Sequence, residues 1–395
     1  MKRRSKSSFS FQVASCAFAF ASLFSASAQS TPTPRTAHSA AWDAARGELV
    51  VFGGFDGPSP TDETWVWNGT WTLKNPTNRP SARVYANMAY DEARQQVVLF
   101  GGSEDAVTGL NDTWIWDGNE WSSRFSTNRP LARFLHGMAY DTVRQETVLF
   151  GGYDSVNHFD DTWVWNGTNW FSRSPVTRPS PRAIRQGMAY DKQRQEVILF
   201  GGDFGGGSTN DTWAWKGTNW NVRNPATAPA SRFGHALAYD EARNGITLFG
   251  GSALNDTWVW EGTNWLQRTP QQVPPARNGH TLTFVPTTQS LLLFGGGDGL
   301  FGVTFGDTWL WNGTNWQQNF VSFTDSFEAP TLNPLWSVTA QSGSVDLSTN
   351  RALSGSRSIQ FSSTQNTGQK NIRLSHFFPQ AFYGRVSVWV YPNVA

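Results

Sequence analysis

A pair of adjacent glycines recurs six times along this chain, beginning at Gly53, Gly101, Gly151, Gly201, Gly250 and Gly295, at successive spacings of 48, 50, 50, 49 and 45 residues. The same phrase surrounds each pair. In the fourth copy it runs from Met188-Ala189-Tyr190-Asp191 through Val197-Ile198-Leu199-Phe200-Gly201-Gly202 to Asp211-Thr212-Trp213-Ala214-Trp215 and Trp220. A period of this length marks an array of supersecondary units, none of which can bury its apolar surface without a neighbour.

Each unit reads as four short strands. The first is the Met-Ala-Tyr segment, and an Asp-x-x-Arg turn leads into a second that is apolar throughout, such as Val97-Val98-Leu99-Phe100. A run with no polar alternation suits a strand covered on both faces. The third carries Thr-Trp-x-Trp and the fourth opens on another Trp. The two Trp of strand three lie two residues apart and share a face, so one side of each sheet presents large aromatics and the other smaller groups. Eighteen of the 21 Trp fall in this register. They are therefore the main material of the core, each able to bury roughly 150 to 250 Å². Asn68-Gly69, Asn166-Gly167 and Asn312-Gly313 between strands three and four predict type I′ hairpin turns, with positive φ at both central residues. A four-stranded meander with two apolar faces, written six times, closes into a ring of blades. Each unit holds its own four strands, which predicts closure by packing of the sixth sheet on the first without a swapped strand.

Arg-x-x-His, then Gly-Gly, then Trp-x-Trp and a further Trp resembles the kelch repeat, most fully at Arg133, His136, Gly151, Gly152, Trp163, Trp165 and Trp170. The resemblance covers 35–320 and implies an all-β, six-bladed kelch-type β-propeller. It implies no single activity, because propellers of this kind host binding modules and unrelated enzymes.

The two ends have other textures. Residues 1–28 resemble a secretory signal peptide: Lys2, Arg3, Arg4 and Lys6 precede an apolar stretch from Val13 to Phe24, and Ala26-Ser27-Ala28 forms a small-residue cleavage site. The apolar stretch is short of a membrane span. Export to the medium, the cell surface or a periplasm is expected, with 29–34 as a short linker and no integral membrane segment after cleavage. Cys16 is the only cysteine and lies in the segment to be removed, so no disulfide or thiol chemistry is expected of the mature chain. Beyond residue 28 the chain has 27 basic and 30 acidic residues, with no basic run among the aromatics, which argues against nucleic acid as a partner. Residues 321–395 resemble the opening strands of a concanavalin-like or laminin-G-like jelly roll, an incomplete β-sandwich. Some 73 residues from Phe323 are too few for such a domain, and the sequence is expected to be a fragment.

In a meander ring, the loops between strands two and three lie on one face, and they vary in length and composition between units. Variable loops on a constant scaffold are where binding resides. They mix carboxylates with aromatics: Asp56 beside Phe55, Asp105 beside Glu104, Asp154 and His158 beside Tyr153, Asp203 beside Phe204, and Asp298 near Phe305. Rings against a sugar's apolar face and carboxylates on its hydroxyls would recognise a glycan, although Asp is also an ordinary turn residue. Arg35, Arg83, Arg133, Arg182, Arg232 and Arg277 recur together with Asp112, Asp161, Asp211, Asp256 and Asp307, which favours structural ion pairs over an anion cradle. His38, His136, His235 and His280 form a column completed by Ala86 and Gln186, read as structural hydrogen-bonding groups rather than metal ligands. Arg185 occurs in the fourth unit alone and has no repeat duty.

The ligand-binding candidates are thus Asp56, Asp105, Asp154, His158, Arg185, Asp203, Phe204 and Asp298; no catalytic set, metal or cofactor is expected. The favoured reading is a secreted or cell-surface module that binds protein or carbohydrate. The alternative is a sugar-directed enzyme of mutarotase or isomerase type, for which Arg185 and one of His136, His235 or His280 would be the acid–base candidates. A copper radical oxidase resembling galactose oxidase is nearly excluded, because the cofactor of that family requires a cysteine cross-linked to tyrosine and the chain beyond residue 28 has no cysteine.

Overall fold

The structure, a computed structural model, describes residues 31–57, 59–299 and 302–318 in full, and further on the backbone of four strands between 336 and 376. The described part of 31–318 is a six-bladed β-propeller: six four-stranded antiparallel sheets, each in sequence order from the innermost strand outward. Blade three shows the pattern, with Gly137–Asp141, Glu146–Phe150, Thr162–Trp165 and Trp170–Arg173 pairing in turn. The second strand is closed off from solvent on both sides, as its unbroken apolar sequence requires; Val148, Leu149 and Phe150 are fully buried.

Blades pack face to face with the polarity expected of the Trp register. Met138, Tyr140, Leu149 and the Trp163, Trp165 and Trp170 rings of blade three meet Ala89, Val98, Phe100 and Ile115 of blade two. The same exchange joins every neighbouring pair. At the seam, Trp65, Trp67 and Trp71 of blade one meet Val285, Leu292 and Phe294 of blade six. All four strands of the first sheet, from Ser39 to Lys74, belong to the first unit. The ring therefore closes by packing, without an exchanged strand.

Polar links repeat across the interfaces. The fourth-strand Trp donates its indole N–H to the Thr that opens strand three of the preceding blade, at 2.9 Å for Trp121 to Thr64, Trp170 to Thr113, Trp220 to Thr162, Trp265 to Thr212 and Trp316 to Thr257. On the face opposite the variable loops, the Arg of each Asp-x-x-Arg turn lies over the hairpin glycine of the next blade. A β-carbon at Gly118, Gly167, Gly217, Gly262 or Gly313 would collide with Arg46, Arg94, Arg144, Arg194 or Arg243 respectively. The seam has neither link among the described residues. The sixth unit carries Thr288 where the others carry the Arg, and nothing lies within 4 Å of a β-carbon at Gly69; Trp71 keeps the contact with the preceding blade's Phe that the other fourth-strand Trp make, at 4.7 Å from Phe294.

One turn expectation is corrected. The hairpins between strands three and four are not type I′, because only the glycine has positive φ, 96° at Gly167. From blade two onward four residues link the closing Trp pair, and in blades two, three and six the first of them, Asp117, Asn166 or Asn312, acts through its side chain: Asn166 Oδ1 accepts the amides of Thr168 and Asn169 at 3.0 and 2.9 Å. This Asx turn spares Asn166 the left-handed backbone. The two-residue turn with positive φ at both centres occurs instead between strands two and three of blade five, at Ser252 (48°) and Ala253 (59°).

In the C-terminal segment the described strands form two antiparallel pairs, Trp336–Ala340 with Ile372–His376 and Ser344–Ser348 with Ser358–Ser362. These two pairs do not by themselves make a jelly roll; the rest of 321–395 and the signal peptide expected at 1–28 lie outside the described residues.

Candidate functional site

The run that joins one blade to the next passes through Arg-x-x-His on the variable-loop face, and it builds the mouth of the central channel. The arginines brace it. Arg133 holds Asp161 with two hydrogen bonds of 2.5 and 2.8 Å, gives a third to the Gly151 carbonyl at 2.9 Å, and is itself fully buried. Asp161 also accepts the Trp163 indole at 2.7 Å. Arg35 with Glu63, and Arg83, Arg182, Arg232 and Arg277 with Asp112, Asp211, Asp256 and Asp307, repeat the arrangement. Burial alone would raise the Asp211 carboxyl; its hydrogen bonds to Arg182 and that group's charge prevail and hold it below the usual range. These arginines are occupied as structural pairs.

The histidines lie beneath the mouth. His136, His235 and His280 are fully buried and edge-on to Phe100, Phe200 and Phe249 of the preceding blade, with ring centroids 5.5 to 5.6 Å apart. The ring nitrogens of His136 and His280 have no hydrogen-bond partner among the described residues, His235 meets the Phe200 backbone, and His38 Nε2 reaches the Thr281 hydroxyl at 3.0 Å. Burial, with the adjacent Arg133 adding to it, pulls the His136 pKa down to about 3, so the ring is neutral at ordinary pH. The column is thus mainly a set of rings seated beside the first glycine of the preceding Gly-Gly pair. In blade four that seat beside Gly151 is taken by Ile184, not by Gln186 as the sequence spacing suggested; Gln186 forms a backbone bridge to Ala236.

The cause is one extra residue. Arg133 precedes Met138 by five positions, but Arg182 precedes Met188 by six. Around the mouth each blade contributes one residue with left-handed backbone: Ala37, Tyr85, Leu135, Arg185, Gly234 and Gly279, with φ between 57° and 71°. Their amides and carbonyls form a belt, Ala37 N–H to Gly279 O, Tyr85 to Ala37, Leu135 to Tyr85, Arg185 to Leu135 and Gly279 to Gly234, at 2.9 to 3.0 Å. The belt is open between blades four and five, where the Arg185 carbonyl accepts the Asn87 side-chain amide at 3.0 Å instead.

Arg185 extends from this break across the mouth. Its guanidinium lies over the Tyr85 ring at 4.8 Å, and a β-carbon at Gly279 would strike it together with the Thr36 hydroxyl. Burial lowers the Arg185 pKa from its ordinary value, with Tyr85 opposing, and the group stays charged. An arc of rings runs outward from there: Phe55 to Tyr85 at 6.2 Å, Tyr85 to Phe134 at 6.0 Å, Phe134 to Tyr153 at 5.6 Å, and Tyr153 stacked on His158 at 4.6 Å. The blade-four loop meets this arc, since a β-carbon at Gly205 would lie 3.1 Å from His158, and the neighbouring Phe204 is 47% exposed.

Of the residues singled out from sequence, Arg185 stands at the mouth, and His158 and Phe204 at the outer end of the arc. The aspartates lie in the variable loops, largely turned to their own backbones. Asp105 accepts the Val107 and Thr108 amides, Asp154 those of Val156 and Asn157, and Asp203 that of Gly205. Asp56 accepts from Thr33 at 3.5 Å, and Asp298 is an exposed turn residue whose amide bonds Val303. No cluster of three or more His, Cys, Asp or Glu able to hold a metal occurs among the described residues. Tyr85 and Phe134 escaped the sequence reading, since they occupy the variable positions of Arg-x-x-His, which have no recurring identity.

No family model and no curated protein matches this chain. Among solved structures it is similar to one titled "Structure of YjhT", with a TM-score of 0.57 and 15% identity over 73% of this chain and 99% of that one. At that identity the likeness establishes the shared propeller fold.

Proposed function

We propose that this is an exported kelch-type propeller that binds carbohydrate on its variable-loop face. The arc Phe55, Tyr85, Tyr153 and His158, joined through the buried Phe134, carries this reading, because its four outer rings are partly exposed on the face where the loops vary. Sugars present apolar C–H faces that pack on such rings while side-chain and backbone polar groups take the hydroxyls. The acid–base role of the alternative enzyme reading has less support, as His136, His235 and His280 are enclosed and have no surface through which to reach a substrate. Secretion, periplasmic residence and surface display all remain compatible with the leader-like 1–28, and fractionation of cells with and without that segment tests export.

A glycan array probed with the purified protein, followed by calorimetry on the hits, tests the binding reading. Tyr153→Ala is expected to weaken the best ligand about tenfold, as loss of one anchoring aromatic does. An array without hits, together with capture of a protein ligand that ignores Tyr153→Ala, would replace carbohydrate with protein as the partner.

A further inference from the structure

The six inner arginines that brace the blades each have a carboxylate, but Arg185 has none. Among the described residues its guanidinium forms no ion pair with a carboxylate and no hydrogen bond; it lies over the face of Tyr85, and its charge helps to lower the pKa values of the buried His38 and His280. The residue is partly exposed. A second donor is unmatched at the same place. In the backbone belt every left-handed residue donates its amide to the preceding blade except Gly234, whose counterpart acceptor, the Arg185 carbonyl, is taken by Asn87. Gly279 ties the two donors together: its amide bonds the Gly234 carbonyl at 2.9 Å, and its α-carbon lies against the Arg185 guanidinium. A fork of N–H groups beside a free backbone N–H, with no anion of the protein's own, matches the two oxygens of a carboxylate.

Resting on the carbohydrate reading above, we propose that the axial mouth binds an acidic sugar of the hexuronate class, with its carboxylate on Arg185 and the Gly234 amide and its ring beside the partly exposed Tyr85. The carboxylate fixes position and the Tyr85 ring takes the apolar face. Selectivity against a neutral sugar then arises from two donors that a hydroxymethyl group satisfies poorly.

The test uses the full chain, with acetate as the probe of the anion site and glucuronate and galacturonate, each against its neutral parent hexose, as probes of the sugar class. Arg185→Met preserves the stem of the side chain, and Leu135 shows that an apolar residue fits this belt position. Acetate is expected to shift the Gly234 amide resonance in the parent protein and not in Arg185→Met. The uronates are expected to bind at least about tenfold tighter than the neutral hexoses. That margin should shrink with added salt, disappear in Arg185→Met and be retained in part by Arg185→Lys. No acetate shift, or the same shift in Arg185→Met, would overturn the anion site. An acetate shift with uronates no tighter than neutral sugars would overturn the assignment to acidic sugars and leave carbohydrate binding itself standing, whereas failure of every sugar would remove both.

Discussion

His136 illustrates how far the ring's interior controls a single side chain. With no water-facing surface and a charged Arg133 nearby, it binds its proton only near pH 3, whereas in the unfolded chain it does so near 6.5. Between those values the unfolded state holds more protons than the folded one, so stability rises with pH across the window and is lost on acidification below about 6.5. At pH 5 the loss for one such histidine is about 2 kcal/mol. Ile184 already fills the equivalent seat in blade four. His136→Ile is therefore expected to fold normally and to lose about 2 kcal/mol less than the parent between pH 7 and pH 5, read from urea midpoints at the two values. An equal loss in both proteins would show that His136 is not held neutral.

Within the blades, the Arg–Gly clasp couples a turn in one sheet to a hairpin in the next. Arg94 donates to Asp91 of its own turn at 2.9 Å and to the Gln145 carbonyl of blade three at 3.1 Å, and its stem crosses Gly167. Gly167→Ala and Gly69→Ala both place a β-carbon at positive φ, but only the former displaces an arginine. Gly167→Ala is expected to cost about 1 to 2 kcal/mol more than Gly69→Ala in chemical denaturation; equal costs would leave backbone strain as the whole effect. The strands themselves were legible in the sequence because burial on two sides leaves a period and an apolar run that no other element writes. Turn geometry was not: Asn166 can reach a tight hairpin by left-handed backbone or by its own side chain, and both use the same two letters. Arg185 was legible as a residue outside the repeat. Its approach to Tyr85 was not, because it depends on a contact across the axis between blades two and four that leaves no local pattern.

For the molecule as a whole, five interfaces carry the Trp-to-Thr bond and the Arg clasp, and the sixth is held by apolar packing, by the backbone links of Arg35 and Ala37 to Phe305 and Gly279, and by the side-chain bonds of His38 to Thr281 and Thr36 to Asn278. The place where the chain's two ends of the ring meet is thus the interface that, among the described residues, lacks both recurring links. Native-state hydrogen exchange is expected to be faster at the Ala37 amide than at Tyr85 and Leu135, its counterparts in the same belt. Uniform exchange at the three would mean that the ring opens as one unit.

The additional residue before Met188 has an effect that reaches beyond its own blade. Six equivalent sectors offer an arriving molecule no reason to prefer one heading over another. By stationing a lone cation in a single sector, the chain gives the mouth a compass bearing, and every copy of a bound molecule would come to rest facing the same way.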